Sequence, residues 1–254
     1  MASFSLTDKE FGLLQLSIEV LQQKIAALGL NLIVEKDFEK LITTLRSNKA
    51  GVINPSIDPR RHAIGPEDFW LNVVDQNGRT VACIAARIYE TDNFTDLVVS
   101  GQLFDRNGLQ AFVGDERIEV LETSRRIKGK VNYAAGLWVH NSWRRKGLSL
   151  ILPYLSRSLA IRNYGADYSC GYHLSSLALS RLPIDIYGYA HQELSYKGYY
   201  PPANGYEEMH LGYVDIEESL DRIRTLPEHE IYPIPMSRTP DLKIIDPLPM
   251  VVTA

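Results

Sequence analysis

Apolar residues near the start of the chain recur every three or four positions, the spacing of one face of an α-helix. Thr7 and Glu10 precede this stripe with the spacing of a capping box, and Gly29 follows it, so we predict one long amphipathic helix between them. Packing into the core is the expected use of the stripe, although it would also suit a homodimer surface. The apolar positions are Phe11, Leu14, Ile18, Leu21, Ile25 and Leu28.

The following part of the chain changes from helical to extended patterns. Residues 30–35 are typical of a short strand, residues 37–45 of a second helix, and the stretch 50–68, which contains prolines and glycines, of a loop. Residues 69–90 then form two apolar runs on either side of Asn77-Gly78, the strongest short signal for a β-hairpin. A sheet with helices beside it is therefore expected.

Residues 131–139 are apolar on both faces, which predicts a strand at the centre of that sheet. Before this strand, residues 92–117 show no clear period, and residues 117–122 fit either a strand or a helix end. After it, residues 148–163 carry a one-sided apolar stripe typical of a helix, and residues 166–173 are typical of a further strand.

The last part of the pattern combines a helix, two strands and a tail. We expect a helix from Ser175 into the IDIYGYA segment at residues 184–190, followed by strands at 192–200 and 206–216 joined by a loop. From Leu226 onwards six prolines exclude a continuous helix and predict an extended segment.

Composition narrows the class of protein. With 254 residues, 45% hydrophobic and 23% charged, the chain is typical of globular proteins and long enough for a large core. A net charge of -4 provides no general field for nucleic acid, which we do not expect as a partner. No leader and no apolar run of about 20 residues is visible, so we predict a cytoplasmic protein without a membrane partner.

Metal and redox chemistry have little support in the sequence. Cys83 and Cys170 lie in predicted strands without ligand or redox spacing, and we expect both to be reduced core residues. The six histidines show no HxxxH or HExxH spacing, so no metal is predicted. Hydrolase, dinucleotide and P-loop motifs are absent as well.

One polar turn has a pattern that suggests chemistry. Arg144, Arg145 and Lys146 stand directly before Gly147, between the central strand and the helix that begins near Leu148. A solvated turn is the ordinary interpretation of such a charge run. The alternative is an anion cradle, in which backbone amides at a helix start bind the anion and the cations add local charge.

The turn RRKGLS resembles the (Arg/Gln)-x-x-Gly-x-(Gly/Ala) turn of the GNAT superfamily of acyl-coenzyme A N-acyltransferases. The preceding LWVHNSW is similar to the strand that leads into this turn, with Asn141 where proline is common, and Ser149 replaces the usual glycine or alanine. The resemblance covers roughly residues 69–216. It implies an α/β (α+β) fold with a mixed, mostly antiparallel central sheet flanked by helices, here with an N-terminal helical extension and a proline-rich C-terminal tail.

The same resemblance implies a cofactor, acetyl-CoA or another acyl-CoA, with no metal. The turn would bind its pyrophosphate, and a bulge at Gly136 would separate the central strand from its neighbour, so that the strand can pair with the pantetheine arm. An amide of this segment would stabilise the oxyanion. The implied cofactor-binding residues are Leu137, Trp138, Val139, Arg144, Arg145, Lys146, Gly147, Leu148 and Ser149.

Catalytic residues are predicted at two places. The family often supplies a tyrosine about forty residues after the turn as general acid, which implies Tyr187, with Tyr189 in reserve, although either ring could simply belong to the core. Glu122, with Glu119 beside it, is the predicted general base, and a surface position is the alternative. His173 could face the opening beside the central strand, but we interpret it as a structural histidine with satisfied nitrogens.

These features predict an N-acyltransferase, most simply one that transfers acetyl from acetyl-CoA to a primary amine of a small molecule or peptide by direct attack in a ternary complex. The alternative is a catalytically silent acyl-CoA-binding regulator or scaffold. We predict three regions: a helical segment at 1–68, an acyl-CoA-binding core at 69–216, and an extension at 217–254 that is proline-rich from about 226.

Overall fold

A mixed sheet with helices on both faces forms the described part of the protein. The computed structural model describes residues 6–51, 53–108, 118–203 and 205–225. The prediction of an extended proline-rich tail lies outside these residues.

The N-terminal half of the described chain contains three helices and three strands. They are α1 Asp8–Ala27, β1 Asn31–Glu35, α2 Phe38–Ser47, β2 Phe69–Val74, β3 Thr80–Thr91 and α3 Phe94–Val99. A 3-10 turn at Pro55–Ile57 lies in the predicted loop between α2 and β2. The predicted first helix, first strand, second helix and hairpin are all observed. α3 falls within the segment whose pattern was ambiguous.

The C-terminal half alternates strands and helices. The elements are β4 Glu119–Val120, β5 Gly129–Val139, α4 Leu148–Tyr164, β6 Tyr168–Leu174, α5 Ser175–Leu179, α6 Leu182–Asp185, β7 His191–Tyr200, β8 Gly205–Asp215 and α7 Ile216–Thr225. Short 3-10 turns occupy Asn141–Trp143 and Pro201–Ala203.

Within the described residues the sheet has the strand order β1-β2-β3-β5-β6-β8-β7-β4. Every pair is antiparallel except β5 and β6, which run parallel because α4 crosses over between them. The expected fold class, a mostly antiparallel sheet flanked by helices with a helix at the N-terminus, is confirmed. β5 lies inside the sheet, as its two apolar faces predicted.

Side chains alternate between the two faces of the sheet and form two cores. One face packs against α1 and α4, and the other against α2, α3 and the loop that contains Ile57. The capping box of Thr7 and Glu10 is present at the start of α1, and Leu14 and Leu21 are buried. Core packing therefore explains most of the apolar stripe, although Phe11 is 45% exposed.

The structure differs from the expected helices in two places. The helix predicted from Ser175 into residues 184–190 is two short helices, because Arg181 adopts a left-handed φ of 61° between α5 and α6. α7 was not predicted, and its Leu220 and Ile223 are buried next to α1. The break between α5 and α6 is a single backbone conformation that a local period does not report. α7 does carry local signals that were overlooked, a capping box of Asp215 and Glu218 and apolar residues at helical spacing.

Candidate functional site

A bulge in the central strand is the first feature of the site. The register between β3 and β5 shifts between Cys83 and Ala85, opposite Gly136, which has a φ of 64°. A Cβ added at this glycine would lie 2.8 Å from the Cδ1 of Ile57. Both the positive φ and this close approach therefore favour glycine at the position. The bulge expected at Gly136 is therefore observed.

β5 and β6 separate just before this bulge. They pair only from Val131 to Tyr133, against Tyr168 to Cys170. β5 keeps its pairing with β3 as far as Val139, so its other edge is unpaired from Ala134 to Val139 within the described residues. We call the opening between residues 134–139 and residues 171–174 the wedge. It presents backbone donors and acceptors at the centre of a sheet, where a neighbouring strand would ordinarily bind them.

The polar turn joins the wedge to α4. His140 accepts a hydrogen bond from the amide of Ser142 at 3.3 Å through its Nδ1, which confirms that this exposed histidine is a turn residue. Arg145 and Gly147 have left-handed φ values of 62° and 79°. Gly147 is the N-cap of α4, and no side chain caps this end of the helix.

The turn leaves its backbone amides open. Between Arg145 and Ser149, no amide donates a hydrogen bond to any residue that the structure describes. The last of these amides belong to the first turn of α4, where the helix itself provides no acceptor. Together with the positive end of a helix of 17 residues, they form a site suited to an anion.

The cations of the turn have no anionic partner among the described residues. The Nε of Arg144 donates to the carbonyl of Val139 at 3.4 Å, which ties the side chain to the end of β5. Lys146 lies over the ring of Trp143, with its Nζ 4.2 Å from the ring centroid. Arg145 is exposed. The open amides and the uncompensated cations fit a pyrophosphate, and the unpaired edge of β5 beside them fits an extended arm that carries amides.

Tyr187 and Tyr189 lie just after α6 rather than inside a helix. The amide of Tyr187 donates to the carbonyl of Leu182 at 3.0 Å, and that of Tyr189 to the carbonyl of Pro183 at 3.1 Å. The side chains are 4% and 3% exposed, in the core beneath α4. Burial raises the pKa of both hydroxyls well above the usual value, so both stay protonated at neutral pH.

His173, near the C-terminal end of β6, contacts both tyrosines. Its ring centroid lies 6.0 Å from that of Tyr187 and 5.3 Å from that of Tyr189, and the side chain is 1% exposed. Neither ring nitrogen has a hydrogen-bond partner in the described chain, so the interpretation as a satisfied structural histidine was wrong. Burial lowers the pKa of His173 to about 3, which keeps the ring neutral.

Arg157 is a residue of this region that sequence reasoning missed. It lies in the middle of α4 and is 2% exposed. Its guanidinium donates to the carbonyls of Tyr187 and Gly188, each at 3.1 Å. An arginine within an amphipathic pattern is normally assigned to the solvent face, and the only available signal was the unusual number of apolar residues around it.

Glu119 and Glu122, the predicted bases, lie elsewhere. Glu119 is in β4, at the edge of the sheet, and three strands separate β4 from β5. Glu122 follows it, and both side chains are exposed. The structure does not bring either glutamate to the wedge, so the assignment of a general base gains no support from their position.

No protein-family model and no curated protein matches the chain. Among solved structures, NAA60 of Arabidopsis thaliana in complex with acetyl-CoA is 12% identical, with a TM-score of 0.45 over 74% of this chain and 99% of the other. A putative phosphinothricin N-acetyltransferase is 14% identical, with a TM-score of 0.43 over 74% and 98%.

A spermidine N-acetyltransferase SpeG chimera from Vibrio cholerae and hSSAT is 8% identical, with a TM-score of 0.43 over 75% of this chain and 99% of the other. The names of these three proteins are those of N-acetyltransferases.

The described residues present neither a membrane-spanning helix nor a metal cluster. None of their helices is both long and apolar enough to cross a membrane. Nor do these residues contain a cluster of three or more His, Cys, Asp or Glu side chains suited to a metal ion.

Proposed function

We propose that the protein is an N-acyltransferase that uses an acyl-coenzyme A, most simply acetyl-CoA, and a primary amine of a small molecule or peptide. A single observation carries the proposal: the open amides of residues 145–149 follow the unpaired edge of β5 after one short 3-10 turn. The same stretch of chain can therefore bind an anion at the turn and an extended amide-containing arm along the strand edge.

Each part of this stretch of chain would bind a different part of the donor. The amides of residues 145–149 would bind the pyrophosphate, with Arg144 and Lys146 adding local charge. Leu137, Trp138 and Val139 would pair through their backbone with the pantetheine arm, as an added strand pairs with a sheet edge. Both interactions use backbone groups, so they depend on the shape of the turn and on the bulge at Gly136 more than on side-chain identity.

When bound, the thioester of the donor supplies an activated acyl group and a thiol leaving group. The chain has to provide a proton for the departing sulfur, and Tyr187 is the proposed donor because the resemblance of the turn implies an acid at this position and its ring contacts His173 of β6. Tyr189 is the second candidate. The amine loses a proton to water as the new C–N bond forms, and a proton from water restores the hydroxyl of Tyr187, so no net proton is taken up or released.

Two measurements test the proposal. Titration calorimetry should detect binding of acetyl-CoA and of CoA with similar affinity, because the turn would recognise their shared pyrophosphate. A thiol assay of CoA release should then respond to at least one member of a panel of polyamines, aminoglycosides, amino acids and peptides with free N-termini or lysines. Absence of binding to both nucleotides would contradict the cofactor site.

An acyl-CoA-binding regulator is the second candidate. The nearly complete burial of Tyr187 and Tyr189, and the distance of Glu122 from the wedge, favour it. The same experiments separate the two functions, since a regulator would bind acetyl-CoA and release no CoA with any amine of the panel.

A further inference from the structure

Arg157 is a buried cation without a carboxylate partner in the described part of the chain. Its side chain is 2% exposed, in the middle of α4 between the sheet and the helices packed on it. Removal of a guanidinium from water costs several kcal/mol unless other groups replace the lost hydration. The groups around Arg157 therefore show what this cation stabilises.

Two carbonyls and two aromatic rings replace the water. Nη1 donates to the carbonyl of Gly188 and Nη2 to that of Tyr187, each at 3.1 Å. The Cζ atom lies 5.3 Å from the ring centroid of Tyr154 and 5.4 Å from that of Tyr189, within the range of a cation–π interaction. Three of these four groups belong to the segment of residues 187–189, and the ring of Tyr154 belongs to α4 itself.

The contacts of this segment hold its backbone on two sides. It belongs to no helix or strand, and the amides of Tyr187 and Tyr189 donate to α6 while the carbonyls of Tyr187 and Gly188 accept from Arg157. Gly188 has a φ of 76°, and a Cβ there would lie 2.5 Å from the hydroxyl of Tyr154. The segment is consequently packed too closely against α4 to shift while the Arg157 hydrogen bonds persist.

The same helix begins at the anion-binding turn. Arg157 lies ten residues after Gly147, the N-cap of α4, a distance of about 15 Å along a helix with a rise of 1.5 Å per residue. One rigid element therefore links the turn to the tyrosine segment. A guanidinium is suited to this link, because its planar donors engage both carbonyls at once.

We propose that Arg157 is a positioning residue for acyl transfer: through the carbonyls of residues 187 and 188 it fixes Tyr187 beside β6 and relative to the donor turn, without contacting donor or acceptor itself. The inference rests on the proposed function, in which Tyr187 donates the proton to the leaving sulfur. The inference adds a residue of α4 to the proposed mechanism. It also explains why Arg157 is buried without a carboxylate partner among the described residues.

The test compares Arg157→Met, which removes the charge and the donors, with Arg157→Lys, which keeps the charge and replaces the planar pair of donors with a single nitrogen. Arg162→Met is the matched control, since Arg162 lies on the same helix and its guanidinium contacts Phe11 instead. Hydrogen exchange of residues 187–190 and of residues 148–152, the affinity for acetyl-CoA, kcat with the amine found by the panel, and Tm are measured for all variants.

For Arg157→Met we expect faster exchange at residues 187–190 and unchanged exchange at residues 148–152. The dissociation constant for acetyl-CoA should stay within about twofold, while kcat falls by roughly 100-fold, the scale of a misplaced catalytic group. Arg157→Lys should recover part of both losses, and Arg162→Met should resemble the wild type.

Unchanged exchange at residues 187–190 in Arg157→Met would overturn the proposal. So would a parallel loss of Tm, acetyl-CoA binding and kcat with no recovery in Arg157→Lys, which is the result of a purely structural role. Failure of the proposed function is distinguishable, because it appears in the wild type as absent acetyl-CoA binding or absent CoA release. In that case the exchange of residues 187–190 still decides whether Arg157 holds the segment.

Discussion

The turn at residues 144–149 and the segment at residues 187–189 lie against the same helix and differ in which groups they leave open. The turn exposes its amides, and its cations have no anionic partner in the part of the chain that the structure describes. The segment is buried, and its carbonyls are bound by Arg157. Solvent satisfies open amides at little cost, whereas buried polar groups need partners within the protein.

The open turn and the buried segment therefore suit two different functions, recognition of the donor and proton transfer. A backbone surface that water can solvate is available to a ligand that arrives and leaves, and it suits recognition of a donor. A tyrosine with fixed backbone suits a proton transfer, which requires a defined position within hydrogen-bond reach of the acceptor. Substitutions in the turn should therefore change the affinity for acetyl-CoA, and substitutions in the segment at residues 187–189 should change kcat.

The largest expected effect is on turnover. Tyr187→Phe removes the proposed proton donor and keeps the ring, so kcat should fall by about 100-fold while acetyl-CoA binding stays the same. Tyr189→Phe should retain most activity, since Tyr189 is the second candidate. Steady-state CoA release and calorimetry measure both quantities. A large loss in Tyr189→Phe with none in Tyr187→Phe would exchange the two roles.

The second effect is on stability at acid pH. The folded state keeps His173 neutral with a pKa of about 3, whereas the unfolded side chain titrates near 6.5. Below pH 6.5 the unfolded state binds the extra proton and the folded state does not. The free energy of unfolding therefore decreases as the pH is lowered, until the folded side chain also titrates. Between pH 7.5 and pH 5 this contribution is about 2 kcal/mol.

Urea unfolding of the wild type and of His173→Gln at pH 7.5 and pH 5 measures the contribution. The variant should lose about 2 kcal/mol less than the wild type over this interval. His140→Gln, at the exposed turn, is the control and should follow the wild type. Equal pH dependence in wild type and His173→Gln would show that His173 is not the group responsible.

The local features of the site could be predicted from the sequence, and the contacts between distant residues could not. The bulge at Gly136 and the turn around Gly147 are local features, set by a glycine, a strand before it and a helix after it, and the sequence contains all of these signals. The contacts of Arg157 and His173 join residues far apart along the chain. No periodicity or motif reports such contacts, so Arg157 was missed and His173 was misinterpreted.

Most of the helices and strands were likewise predicted where local signals define them. The hairpin around Asn77-Gly78 and the long helix after Thr7 were predicted because turn chemistry and capping are local. The break between α5 and α6 depends on a left-handed Arg181, and α7 on a face covered by α1. The break has no strong local signal, and the placement of Tyr187 outside a helix follows from it. α7 does have one, because Asp215 and Glu218 form a capping box before Leu220 and Ile223.

The third effect is on donor affinity, and the two ends of α4 provide a matched pair for it. Gly147 and Gly165 both have left-handed φ values, 79° and 68°. An alanine at either position should cost about 1 kcal/mol of stability. Only Gly147→Ala should weaken acetyl-CoA binding, by roughly tenfold, because it disturbs hydrogen bonds to a charged group. Equal affinities of the two variants for acetyl-CoA would place the pyrophosphate elsewhere.

The smallest effect separates backbone from side-chain recognition within the turn. Lys146→Gln and Arg144→Gln should each weaken acetyl-CoA binding by about two- to fivefold at low salt, which corresponds to about 0.3–1 kcal/mol for a cation near an exposed helix end. The loss should shrink in 0.5 M salt, where the screening length is below about 5 Å. Arg79→Gln, at the exposed hairpin, is the control and should bind normally. If either cation accounts for more of the affinity than Gly147, the side chains and not the backbone recognise the anion, and the contrast between an open backbone site and a buried side-chain site no longer holds.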